Sequence, residues 1–409
     1  MNSLPRSLGT GVSDGAASRL LSRVDAPIEE ATGLPNFAYT DQWFFAIERE
    51  TVFGRNWCCA GFASDAPEPG DIRPFSFLGI PLLMVHGEDR LRVFHNVCSH
   101  RGATLVEQAC KVRGAIRCPY HSWAYDLTGT LRATPSIGGA NVNRLPGFSK
   151  TEHGLKEVHS AVWHDLVFIN LREDPVPFED FIRPLESRWR KYDLSLFKGP
   201  AADSHFELEL AANWKLVVEN TSESYHLPWV HPGLNSASRL EDHYHILGGD
   251  SYCGQGTRAY GNRSASNQRL PISPGISPED AGQGEYITLF PNVQIGVHSD
   301  QLFHILIEPV SAQRTRERIA LYYLEPAANS AEFAAFRREN VSWWRNIFNE
   351  DVQVVERLQR GRSSPAFEGG FFSSVMDVPT HHFHRWVARL AAAALKPGQP
   401  RGSSGGPGK

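Results

Sequence analysis

Long apolar runs are missing from this chain. None approaches the roughly 18 residues that a helical membrane span needs, and the longest candidate, Trp386 to Leu395, carries Arg389. Positive charge is not in excess either. The formal net charge of −4 argues against nucleic acid, which selects a basic face. Cysteine is scarce, at six residues in 409, too few for a disulfide scaffold. The opening stretch, Met1 to Gly15, is polar and lacks the apolar core of a signal peptide. No Gly-x-Gly-x-x-Gly follows a strand pattern, and no internal repeat is evident. What remains is ordinary globular composition, 41% hydrophobic and 21% charged, in a chain long enough for about two to three domains. The expectation is a cytoplasmic protein that binds neither nucleic acid nor membrane. Cys58, Cys59, Cys110 and Cys253 are read as reduced, partly buried thiols.

The organisation changes along the chain. Residues 1–45 read as an N-terminal segment packed on a later domain, its first thirty rich in Ser, Gly and Ala. Residues 46–172 read as a small β domain. Leu82–Val85 and Leu91–Phe94 flank Gly87-Glu88-Asp89, and Val162-Trp163 and Leu166–Ile169 flank His164-Asp165, two hairpin patterns. Glu173–Pro177 marks a boundary, and residues 173–395 mix longer helical patterns with strands such as Phe303–Glu308 and Arg318–Leu324. Gly248–Gly284 shows no periodicity and reads as a mobile lid or a surface excursion. Residues 396–409 form a Pro/Gly/Ser tail expected to be disordered.

Two short stretches carry soft metal ligands: Cys98-Ser-His100 and Cys118-Pro-Tyr-His121, with seventeen residues between them. Two Cys and two His can hold a structural zinc. They can equally hold a [2Fe–2S] cluster, both thiolates on one iron and both imidazoles on the other. Zinc-finger spacings usually run Cys-Cys then His-His, so the order here favours the cluster. Both halves fall on loop tips, where backbone amides can point at sulfur and help set a potential.

A second set lies downstream. Asn213 is a reasonable N-cap for a helix in which Glu219, Glu223 and His226 share a face, until Pro228 breaks it and His231 follows. A later helix, opened by a capping-box pattern at Asn329–Glu332, carries an apolar stripe of Phe333, Phe336, Trp344, Ile347, Phe348, Val354, Val355 and Leu358. Asp351 falls on that stripe, where a carboxylate must be neutralised, paired or bound to metal. Glu350 points about 100° away. His226, His231 and Asp351 would make a two-His, one-carboxylate site of the non-haem Fe(II) type. Pairing of Asp351 with an Arg such as Arg345 is the alternative.

Cys-x-His-Arg-Gly followed by Cys-Pro-Tyr-His-x-Trp resembles the cluster motif of the Rieske non-haem iron oxygenases. Asn213-Trp214-Lys215, Glu219-Asn220, Tyr225-His226, His231 and Glu350-Asp351, with Gln359 and Gly361 downstream, resemble the catalytic signature of their α subunits. The resemblance implies an α+β protein. Its parts would be an all-β Rieske domain and a helix-grip-like catalytic domain of antiparallel sheet and helices. It implies Cys98, His100, Cys118 and His121 on a [2Fe–2S] cluster and His226, His231 and Asp351 on Fe(II). It also implies a homotrimer in which electrons cross from one subunit's cluster to its neighbour's iron. The electrons would come from NAD(P)H through a separate reductase, directly or by way of a ferredoxin. Most members carry Asp three residues before the first iron-ligand His, bridging the two centres; here Glu223 stands there, as in the carnitine- and betaine-type branch. The implied reaction is hydroxylation of a small substrate by O₂, with N-demethylation of a quaternary or N-methyl amine favoured over ring hydroxylation of an arene. Phe290, Phe303, Trp343 and Trp344 are the candidates to line an ammonium site.

Overall fold

The structure is a computed structural model that describes residues 13–198, 204–261 and 269–395. The expected tail at 396–409 lies outside the described residues, as does 262–268 within the expected lid. The chain divides into two compact units, one formed by Asn56–Phe178 and the other by the segments before and after it.

Three short helices open the chain: α1 (Asp14–Val24), α2 (Phe37–Thr40) and α3 (Gln42–Glu48), the last running into a π-helical turn, Arg49–Phe53. Residues 46–55 therefore belong with the catalytic unit, not with the β domain as the sequence pattern suggested. Two buried contacts explain this. Phe53 packs edge-on against Trp214 with ring centroids 5.0 Å apart, and Glu48 pairs with Lys215 at 2.6 Å, both side chains fully buried. A buried pair of this kind is strongly destabilising to break from one side.

The Asn56–Phe178 unit is all β. Its strands are β1 (Cys58–Phe62), β2 (Asp71–Phe77), β3 (Ile80–His86), β4 (Leu91–His95), β5 (Cys110–Lys111), β6 (Ile116–Arg117), β7 (Ala124–Tyr125), β8 (Leu131–Ala133), β9 (Glu157–Trp163) and β10 (Leu166–Asn170). Seven make one antiparallel sheet in the order β1-β10-β9-β4-β3-β2-β5, and β6-β7-β8 make a second. Both expected hairpins form, β3–β4 and β9–β10. His164 and Asp165 take φ of 44° and 69°, the positive values that a tight hairpin turn requires.

The catalytic unit continues with α4 (Phe178–Trp189), β11 (Phe197–Lys198), β12 (His205–Leu210), α5 (Trp214–Ser222), α6 (Leu227–Val230) and α7 (Pro232–Ala237). The sheet strands β13 (His243–Leu247), β14 (Tyr252–Thr257), β15 (Gly284–Leu289), β16 (Val293–His298), β17 (Gln301–Ser311) and β18 (Arg314–Leu324) follow, then α8 (Ala334–Gly361) and α9 (Val378–Leu395). An eight-stranded antiparallel sheet runs β11-β18-β17-β16-β15-β14-β13, with β12 also on β18. The fold is thus α+β. Tyr252–Thr257 is a strand inside the stretch read as a lid; its glycines at 254 and 256 hid the alternation.

Register places alternate residues in rows on one sheet face. Gln255, Tyr286, Gly296 and Phe303 form one row, and Cys253, Thr288, Gln294 and Ile305 form the next. Glycine is required at 296, because a Cβ there would sit 2.2 Å from the Phe303 ring.

Five local expectations need correction. The helix begun by Asn213, whose side chain accepts from Lys215 N at 3.0 Å, stops at Ser222, so Glu223 and His226 are not on it. Pro228 opens α6 instead of breaking a helix, since its missing N–H costs nothing in a first turn. Ser330 makes no side-chain cap; a 3₁₀ turn, Ala331–Phe333, precedes α8. Leu358 faces solvent at 43% exposure, and Cys110 is exposed.

Candidate metal centres

In the β unit, the loops after β4 and β6 have the same closure. Gly102 N–H donates to the Cys98 carbonyl at 3.0 Å, and Ser122 N–H donates to the Cys118 carbonyl at 3.0 Å. Cys98 N–H donates to the Ala103 carbonyl, and Cys118 N–H to the Trp123 carbonyl, both at 2.8 Å. Each loop turns through a left-handed residue, Gly102 at φ +74° and Ser122 at φ +58°. Two loops of one shape therefore present Cys98, His100, Cys118 and His121 together.

The thiols lie within the apolar core of this unit beside Ile116, Trp123 and Tyr125, whereas His100 is exposed and His121 half-buried. The two imidazoles meet edge to face at 4.7 Å, and His100 stacks on Trp123 at 4.6 Å. His121 Nδ1 is buried without a hydrogen-bond partner, a cost that ligation removes. Buried thiolates inside and imidazoles outside suit a [2Fe–2S] cluster. Tyr125 OH sits 3.2 Å from Cys98 Sγ and 2.9 Å from Ser99 Oγ. Burial first, then Cys98, pushes the Tyr125 hydroxyl up to about 12, so it keeps a proton to share with sulfur. Tyr125→Phe is expected to lower the cluster potential by about 40 mV, one hydrogen bond of ~1 kcal/mol at 59 mV per tenfold. A redox titration followed by circular dichroism measures it, and an unchanged midpoint would count against the contact.

In the catalytic unit, one donor atom each from His226, His231 and Asp351 lies within 4.8 Å of the others. His231 Nε2 is 2.8 Å and His226 Nε2 3.7 Å from Asp351 Oδ1. His226 and His231 flank the single turn of α6, which sets their ring centroids 5.2 Å apart, and Asp351 reaches them from α8. Behind each imidazole stands a carboxylate: Glu223 Oε1 is 2.5 Å from His226 Nδ1, and Glu350 Oε2 is 2.7 Å from His231 Nδ1. Such carboxylates fix the tautomer so that Nε2 can face a metal. Asn220 Nδ2 donates to Asp351 Oδ1 at 2.7 Å. Burial lowers the His231 pKa, but Asp351 and then Glu350 outweigh it and the net direction is up. Burial, then Asp351, pushes the Glu317 carboxyl up to about 8. This concentration of carboxylates around two imidazoles fits a divalent cation.

Arg345 is not a partner of Asp351; it lies over the Phe206 ring. Glu219 is elsewhere too, hydrogen-bonded to Tyr39 OH at 2.6 Å and 3.0 Å from His384 Nε2. A cavity partly open to solvent meets the three donors and is walled by Tyr286, Phe303, Trp344 and Phe348. Of the four aromatic residues suggested for an ammonium site, Phe303 and Trp344 line it. Phe290 packs instead on Phe383 and Trp386, and Trp343 does not line it. Tyr286 and Tyr125 escaped sequence reasoning as contributors, because only cross-strand register or long-range packing places them.

Comparison with known proteins agrees with both halves. Residues 56–147 match the Rieske [2Fe-2S] domain, and residues 198–393 match the ring hydroxylating alpha subunit catalytic domain. The chain belongs to the Rieske non-haem iron oxygenase α subunits. It is 28% identical to the carnitine monooxygenase oxygenase subunit of Acinetobacter pittii, over 82% of this chain and 86% of that one. It is also 28% identical to the glycine betaine monooxygenase oxygenase subunit of Pseudomonas aeruginosa strain UCBPP-PA14, over 88% and 89%. In fold it matches the quaternary ammonium Rieske monooxygenase CntA in complex with L-carnitine, at TM-score 0.73 and 24% identity over 91% and 98%. Naphthalene 1,2-dioxygenase from Rhodococcus sp. matches at TM-score 0.73 and 18% identity over 93% and 99%. The α subunit is the terminal oxygenase component of a Rieske system and uses a [2Fe–2S] cluster and a mononuclear iron.

Proposed function

We propose that this oxygenase removes an N-methyl group from a small quaternary or N-methyl amine. The observation that carries the reading is the three-donor site of His226, His231 and Asp351 opening on a cavity walled by aromatic rings. Aromatic faces attract an ammonium with ~0.5–2 kcal/mol each. Glu223 and the likeness to carnitine and glycine betaine monooxygenase subunits support the same class.

In this reading Cys98, His100, Cys118 and His121 hold the cluster, and His226, His231 and Asp351 hold Fe(II). When bound, the cluster supplies single electrons and the iron activates O₂ beside the substrate. The protein's own residues supply the setting. Glu223 and Glu350 orient the imidazoles through Nδ1, Asn220 holds the Asp351 carboxylate, and the rings exclude water from the methyl carbon. One oxygen atom enters the N-methyl C–H bond; two electrons and two protons take the other to water. The hemiaminal then collapses to formaldehyde and the demethylated amine.

Electrons come from NAD(P)H by way of a reductase partner, since the chain carries no dinucleotide fingerprint. A ring of three subunits is supported by exposed aromatics at both centres: Tyr120 in the second cluster loop, and Tyr225 and Trp229 flanking His226. Glu223 would then join one subunit's iron to its neighbour's cluster.

The test follows O₂ uptake, NADH oxidation and formaldehyde in a reconstituted system. Formaldehyde formed one for one with O₂ from an N-methyl amine is the expected result. Stoichiometric hydroxylated arene, with nothing from amines, would move the assignment to ring hydroxylation.

A further inference from the structure

Most polar side chains lining the cavity already have protein partners. Asn220 donates to Asp351, and Thr221 Oγ1 to the Val217 carbonyl. Ser238 Oγ contacts His243 Nε2 at 2.9 Å and Thr257 Oγ1 at 2.8 Å. Gln255 uses both ends of its amide, Oε1 at 2.5 Å from His243 Nδ1 and Nε2 donating to the Glu223 carbonyl at 3.0 Å. Gln294 differs. It lines the same cavity on β16, is 3% exposed, and its Oε1 has no hydrogen-bond partner. Its cross-strand neighbour Thr288 is fully buried, and the Thr288 Oγ1 is likewise unpartnered.

An acceptor this deep in an apolar wall is expensive to leave unmet. Its residue lines the cavity, one row along the sheet from Tyr286 and Phe303. We infer that Gln294 is a specificity-determining residue whose Oε1 accepts a hydrogen bond from the substrate. This deepens the proposed function and rests on it. The substrate then carries, besides its N-methyl group, a hydroxyl or N–H donor. Neither a carboxylate nor a quaternary ammonium has a proton to give, so those groups cannot satisfy Oε1. An alcohol O–H is the simplest such donor, and it is the one that the pair of probes below isolates.

The test is calorimetric binding to the holoenzyme of three probes: choline, propyltrimethylammonium and glycine betaine. Choline and propyltrimethylammonium have nearly the same shape and differ by the hydroxyl. Wild-type protein is expected to bind choline about 5- to 100-fold more tightly than propyltrimethylammonium. Gln294→Leu and the closer isostere Gln294→Met should bring that ratio to near one. Propyltrimethylammonium affinity should hold, with cluster and iron content unchanged. Equal wild-type affinities, or variants that weaken both probes alike, would overturn the assignment. So would tighter binding of glycine betaine than of choline, because the amide would then be donating to a carboxylate. Formaldehyde is assayed separately. Its release with a binding ratio of one removes only the Gln294 assignment, whereas an intact ratio with no formaldehyde from any probe removes the demethylase reading.

Discussion

Asp351→Ala protein is expected to keep the visible spectrum of the cluster and to lose the mononuclear iron and all measurable turnover. Asp351 Oδ1 is the point on which the site converges, 2.8 Å from His231 Nε2 and 3.7 Å from His226 Nε2. Alanine leaves two imidazoles and no anionic ligand. Each imidazole still has its outer carboxylate, so the site stays folded but binds a divalent ion poorly. The loss should exceed the ~10–100-fold typical of removing a group behind a ligand. Glu350→Ala supplies that smaller reference: it frees His231 Nδ1 without touching Asp351, and iron affinity should fall by ~10–100-fold. Iron analysis of both variants, beside single-turnover product yield, makes the comparison. Iron and activity surviving in Asp351→Ala while vanishing in Glu350→Ala would mean that the neighbouring carboxylates exchange roles.

Glu223→Gln should load both cofactors and slow the passage of electrons between them, on the order of 10- to 100-fold. Glu223 lies just past the end of α5 in extended backbone, φ −126° and ψ 166°. From there its carboxylate receives the Tyr225 backbone N–H, and Oε1 meets His226 Nδ1 at 2.5 Å. Glutamine keeps the length and removes the charge. Charge-assisted hydrogen bonds are about twice as strong as neutral ones, so the connection weakens while the loop keeps its shape. Stopped-flow oxidation of pre-reduced protein, followed in the cluster's visible band, reads the rate directly. Wild-type cluster oxidation and product yield in this variant would reduce Glu223 to a loop residue.

Ligand chemistry was legible in the sequence because it is local. Cys98 to His100 and Cys118 to His121 are each short enough to lie on one turn, and no long-range packing is needed to read them. Asp351 was legible for a related reason: within the stripe of Trp344, Ile347, Phe348 and Val355, a carboxylate is out of place and calls for a partner. The hairpins were readable too, since two strands joined by a tight turn have few alternatives.

What the sequence misplaced was geometry between distant segments. It extended α5 through His226 on a period that Glu219, Glu223 and His226 satisfy by coincidence. In the structure Glu219 is taken up by Tyr39 and His384. It read Gly248–Gly284 as a lid or a surface excursion, because strand β14 has glycines where the alternation would have shown. It assigned 46–55 to the β domain, blind to the Glu48–Lys215 pair across 166 residues of chain. Glu350 was passed over because its direction on the helix excludes it from the metal, and only the approach of His231 turns that direction to use. By itself, then, the sequence determined the donor types that the chain offers and their spacing on short turns, since these are covalent facts. Only the tertiary structure decided what stands behind each imidazole, which rings wall the cavity and that Gln294 is left unpaired. Those depend on strand register and helix packing, which no local pattern encodes.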